Sequence, residues 1–296
     1  MSDTSWFVVV NPRAGALGNT LPRVRAALGA QGIEGEIAVP VSAHEMAAAV
    51  SEAADDGHTR FVAVGGDGTA SLLADALLQR DWSEPPTFGI LPAGSGSDFI
   101  RTFGFPQSLE EAAVHLTGDT TYPIDVAAVT GSWGTRRAIN AIDAGVLGAT
   151  VKRAEGLTRR LGRLRYQAAF WLTIPGFRPG DVRLTMDQRV WEGRAVTVVL
   201  ANGQFFGGAV NIAPRATLVD GLLDVQVFAC SRLRAIMLHP KAIRGLHLRD
   251  PAVHRFQSTA VVLETERPYP VEIDGDYLGE TPVRVAVEPA ALRFKI

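Results

Sequence analysis

The first third of the chain alternates short apolar strands with helical patterns. The apolar runs have the length and the β-branched or aromatic content of buried strands. The predicted strands are Phe7–Val10, Ile33–Val39, Phe61–Val64 and Phe88–Leu91, and the predicted helices are Leu21–Leu28, Ala43–Ala54 and Ala70–Gln79. This β–α–β rhythm predicts a parallel sheet covered by helices, with ligands at the carboxyl ends of the strands.

Beyond about Tyr122 the pattern changes to short β-branched segments separated by turn dipeptides. The predicted strands are Val182–Met186, Ala195–Ala201, Leu223–Phe228, Ala260–Glu264, Val271–Ile273 and Val283–Val287. The turn dipeptides are Asn202-Gly203, Asp220-Gly221 and Asp274-Gly275. Two stretches, Leu157–Ile174 and Arg232–Leu248, have helical patterns. The second part is therefore predicted to be an antiparallel β-rich domain.

Together these patterns predict an α/β + β fold. Residues 1–123 form an N-terminal α/β nucleotide-binding domain, and residues 124–287 form the C-terminal antiparallel β-rich domain. The last strand, within residues 288–296, is expected to return to the first domain. A chain of 296 residues is long enough for two such cores.

Composition excludes several classes of protein. The formal net charge of −2 disfavours a dedicated nucleic-acid binder, which is usually basic. Cys230 is the only cysteine, so neither an intrachain disulfide nor a cysteine metal cluster can form. The polar start lacks the pattern of a signal peptide, and no apolar run approaches the ~20 residues of a membrane span. We therefore expect a cytoplasmic protein without a transmembrane segment, peripheral at the inner membrane surface if it meets lipid.

A glycine-rich turn follows the third predicted strand. In Gly65-Gly66-Asp67-Gly68-Thr69, glycines let the backbone approach a bulky anion, and the following helix start favours phosphate. The simpler interpretation is a tight strand-to-helix turn, which needs only one or two glycines. A Rossmann fingerprint fails because Ser71 occupies its third glycine position. A P-loop fails because no lysine follows a glycine anywhere in the chain.

Three segments of the first domain together resemble a known family. They are Asn11-Pro12-Arg13-Ala14-Gly15, Gly65-Gly66-Asp67-Gly68-Thr69 and Leu91-Pro92-Ala93-Gly94-Ser95-Gly96-Ser97-Asp98-Phe99. The likeness continues in Asn202-Gly203 with Gly207-Gly208, in Pro214-Arg215-Ala216 leading to Asp220-Gly221-Leu222-Leu223-Asp224, and in Ile273-Asp274-Gly275-Asp276. In this order they resemble the diacylglycerol kinase catalytic family, which includes bacterial lipid kinases, sphingosine kinases and ceramide kinases. The glycine–aspartate–glycine element alone also occurs in NAD kinases.

The resemblance implies ATP and Mg²⁺ as cofactors and a lipid at the membrane surface as substrate, in phospholipid biosynthesis. The residues that it assigns to ATP are Asn11, Pro12, Arg13, Ala14, Gly15, Ser42, Gly65, Gly66, Asp67, Gly68, Thr69, Ala70, Ser71, Leu72, Gly94 and Ser95. Thr217, Asp220 and Leu222 match the family's magnesium loop, where main-chain carbonyls and one carboxylate supply oxygen ligands.

Two acids carry the catalytic assignment. Asp276 matches the family's proton acceptor, and Asp67 is expected to orient the phosphates or a second magnesium ion. From spacing alone, Asp220-Gly221 and Asp274-Gly275 are hairpin turns, and Asp67 is the aspartate of an Asx turn. The family usually has asparagine and glutamate where Ser71 and Leu72 stand here, and glutamate where Asp276 stands.

The predicted function is an ATP-dependent lipid kinase that phosphorylates diacylglycerol or a related long-chain lipid in the cleft between the domains. A soluble-metabolite kinase of the NAD-kinase type and a catalytically weak nucleotide- or lipid-binding protein remain as alternatives. Two basic stretches with apolar residues, Gly156–Arg178 and Ser231–Arg255, could dock on an anionic membrane. The alternative for both is an ordinary core face with solvated arginines. A homodimer is left open.

Overall fold

The computed structural model describes residues 5–12, 14, 20–93, 98–158, 161 and 164–296. The chain divides into two compact units. Unit 1 is Met1–Asp125 with Pro289–Ile296, and unit 2 is Val126–Glu288. The boundary falls within strands β5 (Thr121–Gly131) and β16 (Val283–Lys295), so each of these strands contributes residues to both units.

Unit 1 is an α/β domain built on a parallel sheet. Its strands are β1 (Trp6–Val10), β2 (Gly35–Ala38), β3 (Arg60–Gly65) and β4 (Thr87–Pro92), in the order β2-β1-β3-β4. Arg293 and Phe294 of β16 extend the sheet parallel to β4. The helices are α1 (Thr20–Ala30), α2 (Ala43–Asp55), α3 (Asp67–Leu77), α4 (Asp98–Thr102) and α5 (Leu109–Ala113), followed by a 3₁₀ turn at Val114–Leu116.

Three strands of this sheet are continuous apolar runs that are buried in unit 1. Every residue of β1 is buried, as are all residues of β3 and β4 except the first of each. Strands buried on both faces show such runs because helices cover both sides of a parallel sheet. The polar strand ends and the helix starts that follow them are therefore the parts of unit 1 that can meet a ligand.

Unit 2 contains two antiparallel sheets. Its further strands are β6 (Gly134–Ala138), β7 (Ala141–Gly145), β8 (Gly180–Met186), β9 (Arg189–Ala195), β10 (Thr197–Ala201), β11 (Leu223–Phe228), β12 (Val253–Ser258), β13 (Ala260–Thr265), β14 (Pro270–Ile273) and β15 (Asp276–Glu280). One sheet has the order β12-β11-β10-β7-β14-β15. In the other, the first residues of β16 pair with β13, then β8 and β9 follow. Apolar residues from both sheets share one core.

The described residues of unit 2 also include three α-helices. They are α6 (Val146–Glu155), α7 (Leu164–Thr173) and α8 (Arg232–Ile243), with a 3₁₀ turn at His247–Arg249. Helix α6 packs against β14 so closely that a Cβ atom on Gly148 would meet the main-chain carbonyl of Pro270. Glycine at this position therefore lets α6 approach the strand that leads to Asp276.

The predicted fold class is confirmed, and the differences from the predicted elements have local causes. Helix α3 begins at Asp67 rather than Ala70. The Gly66 carbonyl already accepts from the Thr69 and Ala70 N–H groups, so the first turn starts there. The predicted strand Ala195–Ala201 is interrupted at Val196, where β9 ends before β10 begins. Within the predicted helix Leu157–Ile174, α7 spans Leu164–Thr173, and residues 159–160 and 162–163 lie outside the described part.

The turn dipeptides serve different purposes in the structure. Asp274 and Gly275 join β14 to β15 with φ angles of 49° and 93°, as a tight hairpin requires. Asn202 does not begin a hairpin: it is buried, and its Nδ2 donates to the Ile139 carbonyl at 3.0 Å. Asp220-Gly221 precedes β11, whose partner strand β10 ended at Ala201, so this dipeptide lies in a longer connection.

Candidate active site

Turns predicted to bind nucleotide meet at the carboxyl ends of neighbouring strands in unit 1. Asn11 follows β1, and its N–H donates to the Val64 carbonyl at 3.0 Å. The Ala93 N–H, after β4, donates to the Gly65 carbonyl at 3.0 Å. The Asn11 side chain donates from Nδ2 to Thr69 Oγ1 at 2.9 Å. The asparagine–proline turn and the glycine-rich turn are therefore tied together by main-chain and side-chain bonds.

The glycine-rich turn opens directly into α3. Gly66 is the N-cap in extended conformation without a side-chain cap, and its carbonyl accepts from the Thr69 and Ala70 N–H groups at 3.0 and 3.2 Å. The first N–H groups of a helix have no acceptor within the helix and carry partial positive charge. This end of α3 can therefore bind an anion such as a phosphate.

The Asp67 carboxylate makes a long-range contact that spacing alone does not reveal. Its Oδ2 accepts from the Asp98 N–H at 2.9 Å, and its Oδ1 accepts from the Phe99 N–H at 3.0 Å. Asp67 thus joins the start of α3 to the start of α4, across 31 and 32 residues of sequence. This geometry supports a role in holding the two loops together. A direct role on phosphate or magnesium stays a prediction.

The remaining nucleotide residues differ in how the structure presents them. Arg13, Gly15, Gly94 and Ser95 lie outside the described residues. Pro12 and Ala14 lie in the turn after Asn11, where the Ala14 N–H donates to the Asn11 carbonyl at 3.0 Å. Ser42 is the N-cap of α2 and accepts from the Glu45 N–H at 3.2 Å.

The first turns of α3 point their side chains largely into unit 1. Ala70 and Ser71 are completely buried, and Leu72 is partly buried. The Ser71 hydroxyl has no hydrogen-bond partner in the described part of the chain. Contact between these residues and a nucleotide would therefore rely on the main chain near the helix start rather than on their side chains.

We expect Gly65→Ala to destabilise the glycine-rich turn. A Cβ atom on Gly65 would lie 2.7 Å from Thr69 Cβ and would also meet Thr69 Oγ1, the acceptor of the Asn11 hydrogen bond. The free energy of unfolding should fall by about 1–3 kcal/mol, the usual cost of overpacking. The matched control is Gly68→Ala, because a Cβ atom there has no neighbour within 4 Å. An equal loss in both variants, measured by chemical denaturation, would contradict the steric argument.

In unit 2, the predicted proton acceptor follows a hairpin turn that is fixed by Asp274. The Asp274 Oδ1 accepts from the N–H groups of Asn140 and Ala141 at 3.0 and 2.9 Å, and its Oδ2 accepts from Ile139 at 2.9 Å. These three residues are buried. The bonds tie the turn to the segment before β7, so Asp276 begins β15 from an anchored position.

Asp276 has the environment of a carboxylate that can exchange a proton. Its side chain is 51% exposed, and its Oδ2 lies 4.0 Å from Arg136 Nη2. Partial burial raises the pKa of Asp276; Arg136 lowers it, and the negative charges of Asp274 and Glu155 raise it further. Because the side chain is half exposed, solvent screens these interactions. A raised pKa is the direction of shift that favours a carboxylate as proton acceptor.

A buried pair of carboxyl groups, Asp143 and Glu272, lies behind this turn. They are 1% exposed each and stand opposite one another on β7 and β14. The Asp143 Oδ1 accepts from the Gly148 N–H at 2.8 Å, and the Glu272 Oε2 accepts from the Gly275 N–H at 2.7 Å. Burial raises the pKa of both carboxyl groups, and the Asp143 charge raises that of Glu272 further. Raised pKa values favour retention of a proton by the pair at a pH where exposed acids are ionised.

No sequence signal marked this pair. Asp143 and Glu272 are 129 positions apart in the numbering, and each stands alone in an apolar strand. Their proximity depends on the antiparallel register between β7 and β14. A single acid in a predicted buried strand is the only feature that could have drawn attention to either residue, because buried charges need a partner.

The buried pair makes the stability of unit 2 depend on pH. A carboxyl with a raised folded pKa contributes stability that is complete below about pH 4, the usual range of an unfolded carboxyl, and that is lost as the pH rises through its folded value. We expect Glu272→Gln to flatten this decline, because the amide keeps an acceptor for Gly275 and can donate to Asp143. The difference in slope is at most about 1.4 kcal/mol per pH unit for each retained proton.

Denaturant unfolding of the wild type and of Glu272→Gln at about pH 5 and about pH 8 measures this effect. Glu264→Gln is the matched control, because Glu264 is an exposed acid on β13. Parallel pH profiles for the wild type and Glu272→Gln would show that the pair does not hold an extra proton.

The predicted magnesium loop is an exposed turn before β11. Thr217 and Asp220 are exposed, Leu222 is partly buried, and Gly221 has a φ angle of 71°. The Asp220 Oδ1 accepts from the Leu222 N–H at 3.1 Å, an Asx turn. In the described ranges, no three histidine, cysteine or acidic side chains are grouped as a metal site. One carboxylate with main-chain carbonyls is a weak oxygen donor set of the kind that magnesium accepts with retained waters.

No helix among the described residues is long and apolar enough to cross a bilayer.

Comparison with known proteins defines the class of this fold. Residues 5–129 match the diacylglycerol kinase catalytic domain, and residues 140–295 match the YegS C-terminal NAD kinase beta sandwich-like domain. The chain therefore belongs to the diacylglycerol kinase catalytic-domain family of YegS type. The family predicted from the ordered motifs is confirmed, and so is the prediction of a kinase-type enzyme.

Individual relatives extend over the whole chain. The chain is 28% identical over 307 aligned residues to the "Probable lipid kinase YegS-like" of Xanthomonas oryzae pv. oryzae (strain MAFF 311018), covering 100% of this chain and 97% of that protein. It is 26% identical over 259 residues to the "Probable lipid kinase YegS" of Escherichia coli (strain K12 / DH10B), covering 83% and 81%. A crystal structure of a diacylglycerol kinase from Bacillus anthracis str. Sterne has a TM-score of 0.75 at 23% identity, covering 99% and 96%. That structure shares the fold.

Proposed function

We propose that this protein transfers the γ-phosphate of ATP to the hydroxyl of diacylglycerol or a related long-chain lipid. The observation that carries the proposal is Asp276, a half-exposed carboxylate on a turn fixed by three main-chain hydrogen bonds. Such a group can take a proton without reorganisation of its surroundings. The relatives named as lipid kinases support a lipid as the acceptor.

ATP would bind in unit 1 at the linked strand ends. The Asn11 turn and the start of α3 present main-chain N–H groups in a region where a phosphate chain is favoured. Asp67 would act by holding the two loops in register through its bonds to Asp98 and Phe99. Phosphoryl transfer depends mainly on positioning and charge stabilisation, so a site of this kind needs few reactive side chains.

Magnesium would be held by the Asp220 carboxylate and by main-chain oxygens of Thr217 and Leu222, and would supply neutralising charge for the phosphates. The donors are oxygen atoms, as this ion requires. The test is magnesium-dependent thermal stabilisation of the protein without ATP: Asp220→Asn should reduce it, whereas Asp187→Asn at a separate exposed turn should not.

In the transfer step, the acceptor hydroxyl oxygen forms a bond to the γ-phosphorus as the bond to the β,γ-bridging oxygen breaks. ADP leaves with that oxygen, and the hydroxyl proton passes to Asp276. The raised pKa of Asp276 favours this proton transfer. Arg136, 4.0 Å from the carboxylate, would keep Asp276 oriented before the proton arrives.

A soluble-metabolite kinase of the NAD-kinase type is the second candidate. The match of residues 140–295 to a domain described as NAD kinase beta sandwich-like favours it. A catalytically weak nucleotide- or lipid-binding protein is the third, since Leu72 stands where the family usually has an acid. A phosphate-transfer assay distinguishes them from the first candidate: the second would label NAD, and the third would label no acceptor.

The deciding experiment is transfer of radioactive γ-phosphate from ATP to a panel of diacylglycerol, sphingosine, ceramide and NAD, with a reaction lacking acceptor. Labelled diacylglycerol or a related lipid is the expected result. Labelled NAD would replace the proposal with the second candidate. Nucleotide binding without turnover of any acceptor would replace it with the third.

A further inference from the structure

Helix α7 of unit 2 presents an apolar side chain stripe to solvent. Leu164, Trp171 and Leu172 are 62%, 53% and 55% exposed. Their spacing places all three on one side of the helix. The opposite side carries the buried Ala169 and Phe170. A solvated helix face normally carries polar residues, so this stripe requires an explanation.

Helix α8 also exposes apolar side chains to solvent. Leu233 and Met237, four positions apart, are 68% and 62% exposed, and Ile243 near the helix end is 46% exposed. Leu238 and Ala242 on the other side are buried. Six of the fourteen exposed large apolar side chains in the described residues lie on these two helices.

The two helices adjoin. The rings of Phe170 and His239 stack with centroids 4.7 Å apart, and the half-exposed Trp171 ring lies 6.4 Å from His239. Arg232, the first residue of α8, donates from Nη1 to the Pro175 carbonyl just after α7. The exposed sides of α7 and α8 are therefore neighbouring parts of one surface, which we call the helical face.

A basic depression of about 530 Å³ continues from the start of α8. Four arginines, Arg178, Arg194, Arg232 and Arg267, line it together with Phe177 and Cys230. No acidic side chain is among these described lining residues. Arg194 Nη2 donates to the Pro179 carbonyl at 2.8 Å. Arg194 Nε lies 3.9 Å from Oδ1 of the exposed Asp181. Arg232 belongs to both the depression and the helical face.

The remaining charges near α8 are also mainly basic. Asp250 binds Arg234 at 2.9 Å and lies 3.8 Å from Lys241, so one acid faces two cations. Arg244 and Arg249 are exposed. The whole protein has a formal charge of −2, so this positive surface is a local concentration rather than a general property.

We propose that the helical face and the arginine depression together dock unit 2 on an anionic phospholipid bilayer. Apolar side chains would enter the boundary between headgroups and acyl chains, and the arginines would contact lipid phosphates. The argument for this occupant is charge complementarity: an anionic bilayer offers phosphates and apolar depth side by side, as these residues require. This inference rests on the proposed function, because a lipid kinase must reach a substrate that resides in a membrane.

The test is flotation of the full chain with vesicles of phosphatidylcholine alone and of phosphatidylcholine mixed with phosphatidylglycerol. We expect clear preference for the anionic vesicles. Leu233→Ser with Met237→Ser, and separately Arg178→Gln with Arg267→Gln, should each weaken this binding by about tenfold or more. Val190→Ser and Arg284→Gln are matched controls, because both residues are exposed on strands outside the proposed surface.

A second readout uses Trp171. Lipids that carry a spin label in the acyl chain should quench the wild-type protein in the anionic vesicles more strongly than Trp171→Phe. Equal quenching of both proteins would overturn insertion of the helical face. Failure of the wild type to bind anionic vesicles, equal binding to neutral vesicles, or equal losses in the control variants would overturn the docking proposal. The arginine variants provide the decision if the Leu233/Met237 variant unfolds.

Docking and catalysis fail separately in this design. Vesicle flotation needs neither ATP nor turnover, so it reports on docking even in an inactive protein. Phosphorylation of a short-chain, water-soluble diacylglycerol reports on the proposed kinase without a bilayer. Anionic binding without phosphorylation would support docking and remove the proposed reaction. Phosphorylation of the soluble acceptor without vesicle binding would do the reverse.

Discussion

Asp276→Asn is expected to lower the rate of phosphoryl transfer by about a hundredfold to ten-thousandfold, the usual contribution of a positioned general base. The amide cannot accept the hydroxyl proton, whereas the rest of the turn is unaffected. Asp276 is half exposed, and Asp274 rather than Asp276 makes the main-chain bonds that fix the turn. ATP affinity and the free energy of unfolding should therefore remain close to those of the wild type.

Initial rates at saturating ATP with a lipid acceptor, together with nucleotide binding and thermal unfolding, measure these three quantities. Asp276→Glu is the informative companion variant, because glutamate keeps the carboxylate and is the residue that the family usually carries. It should retain most of the activity. Unchanged turnover by Asp276→Asn would remove Asp276 from the mechanism, and a large loss of stability would mean that the carboxylate is structural.

Asp274→Ala should have the largest effect on stability, lowering the free energy of unfolding by roughly 2–5 kcal/mol. The substitution leaves the N–H groups of Ile139, Asn140 and Ala141 without their acceptor in a buried segment. Each buried donor without a partner costs about 1–3 kcal/mol, and the three losses are not fully additive. Alanine is also strained at the φ angle of 49° that Asp274 adopts. Transfer activity should fall too, because Asp276 loses its anchored position.

Denaturant unfolding of Asp274→Ala, Asp274→Asn and the wild type gives the comparison. Asparagine tolerates the positive φ angle and retains one acceptor oxygen, so its loss should be smaller than that of alanine. If Asp274→Ala were as stable as Asp276→Asn, the three hydrogen bonds would not hold this turn. Asp274 would then not be the residue that fixes the turn before Asp276, the proposed proton acceptor.

The sequence was sufficient for the framework of unit 1. Strands such as β1 and β3 are continuous apolar runs that only a sheet covered on both faces can bury. The glycine-rich turn was predicted at the strand end where α3 begins, because three glycines around one aspartate end the apolar run of β3. The ordered set of motifs then predicted the family. The glycine–aspartate–glycine element alone could not do so, because NAD kinases also have it.

Contacts that depend on register could not be predicted. The bond from Asp67 to Asp98 and Phe99, the anchoring of Asp274 and the pairing of Asp143 with Glu272 each join distant segments. Helix α6 was missed because Val146–Glu155 mixes β-branched residues with small ones, and its packing on β14 depends on a single close approach at Gly148. These tertiary contacts outweigh the local preference of the residues.

The basic stretches could be identified in the sequence, but their significance could not. An arginine beside an aromatic residue fits a buried helix as well as a membrane surface. The exposure of Trp171 and Leu233 supports the second interpretation, because an ordinary core face would have buried them. Placement of Arg178 and Arg267 around one depression required the loops after α7 and β13 to meet.

Cys230, in the lining of the arginine depression, is half buried, and its surroundings protect its thiol from reaction. Burial, together with the nearby Asp250 charge, raises the pKa of Cys230 to about 11. At neutral pH its thiolate fraction is about 300-fold below that of an exposed cysteine with a pKa of about 8.5. A cysteine placed at Met237 would therefore take a maleimide fluorophore or a nitroxide almost alone. Penetration of α8 into a bilayer could be followed spectroscopically in a chain that keeps its native thiol.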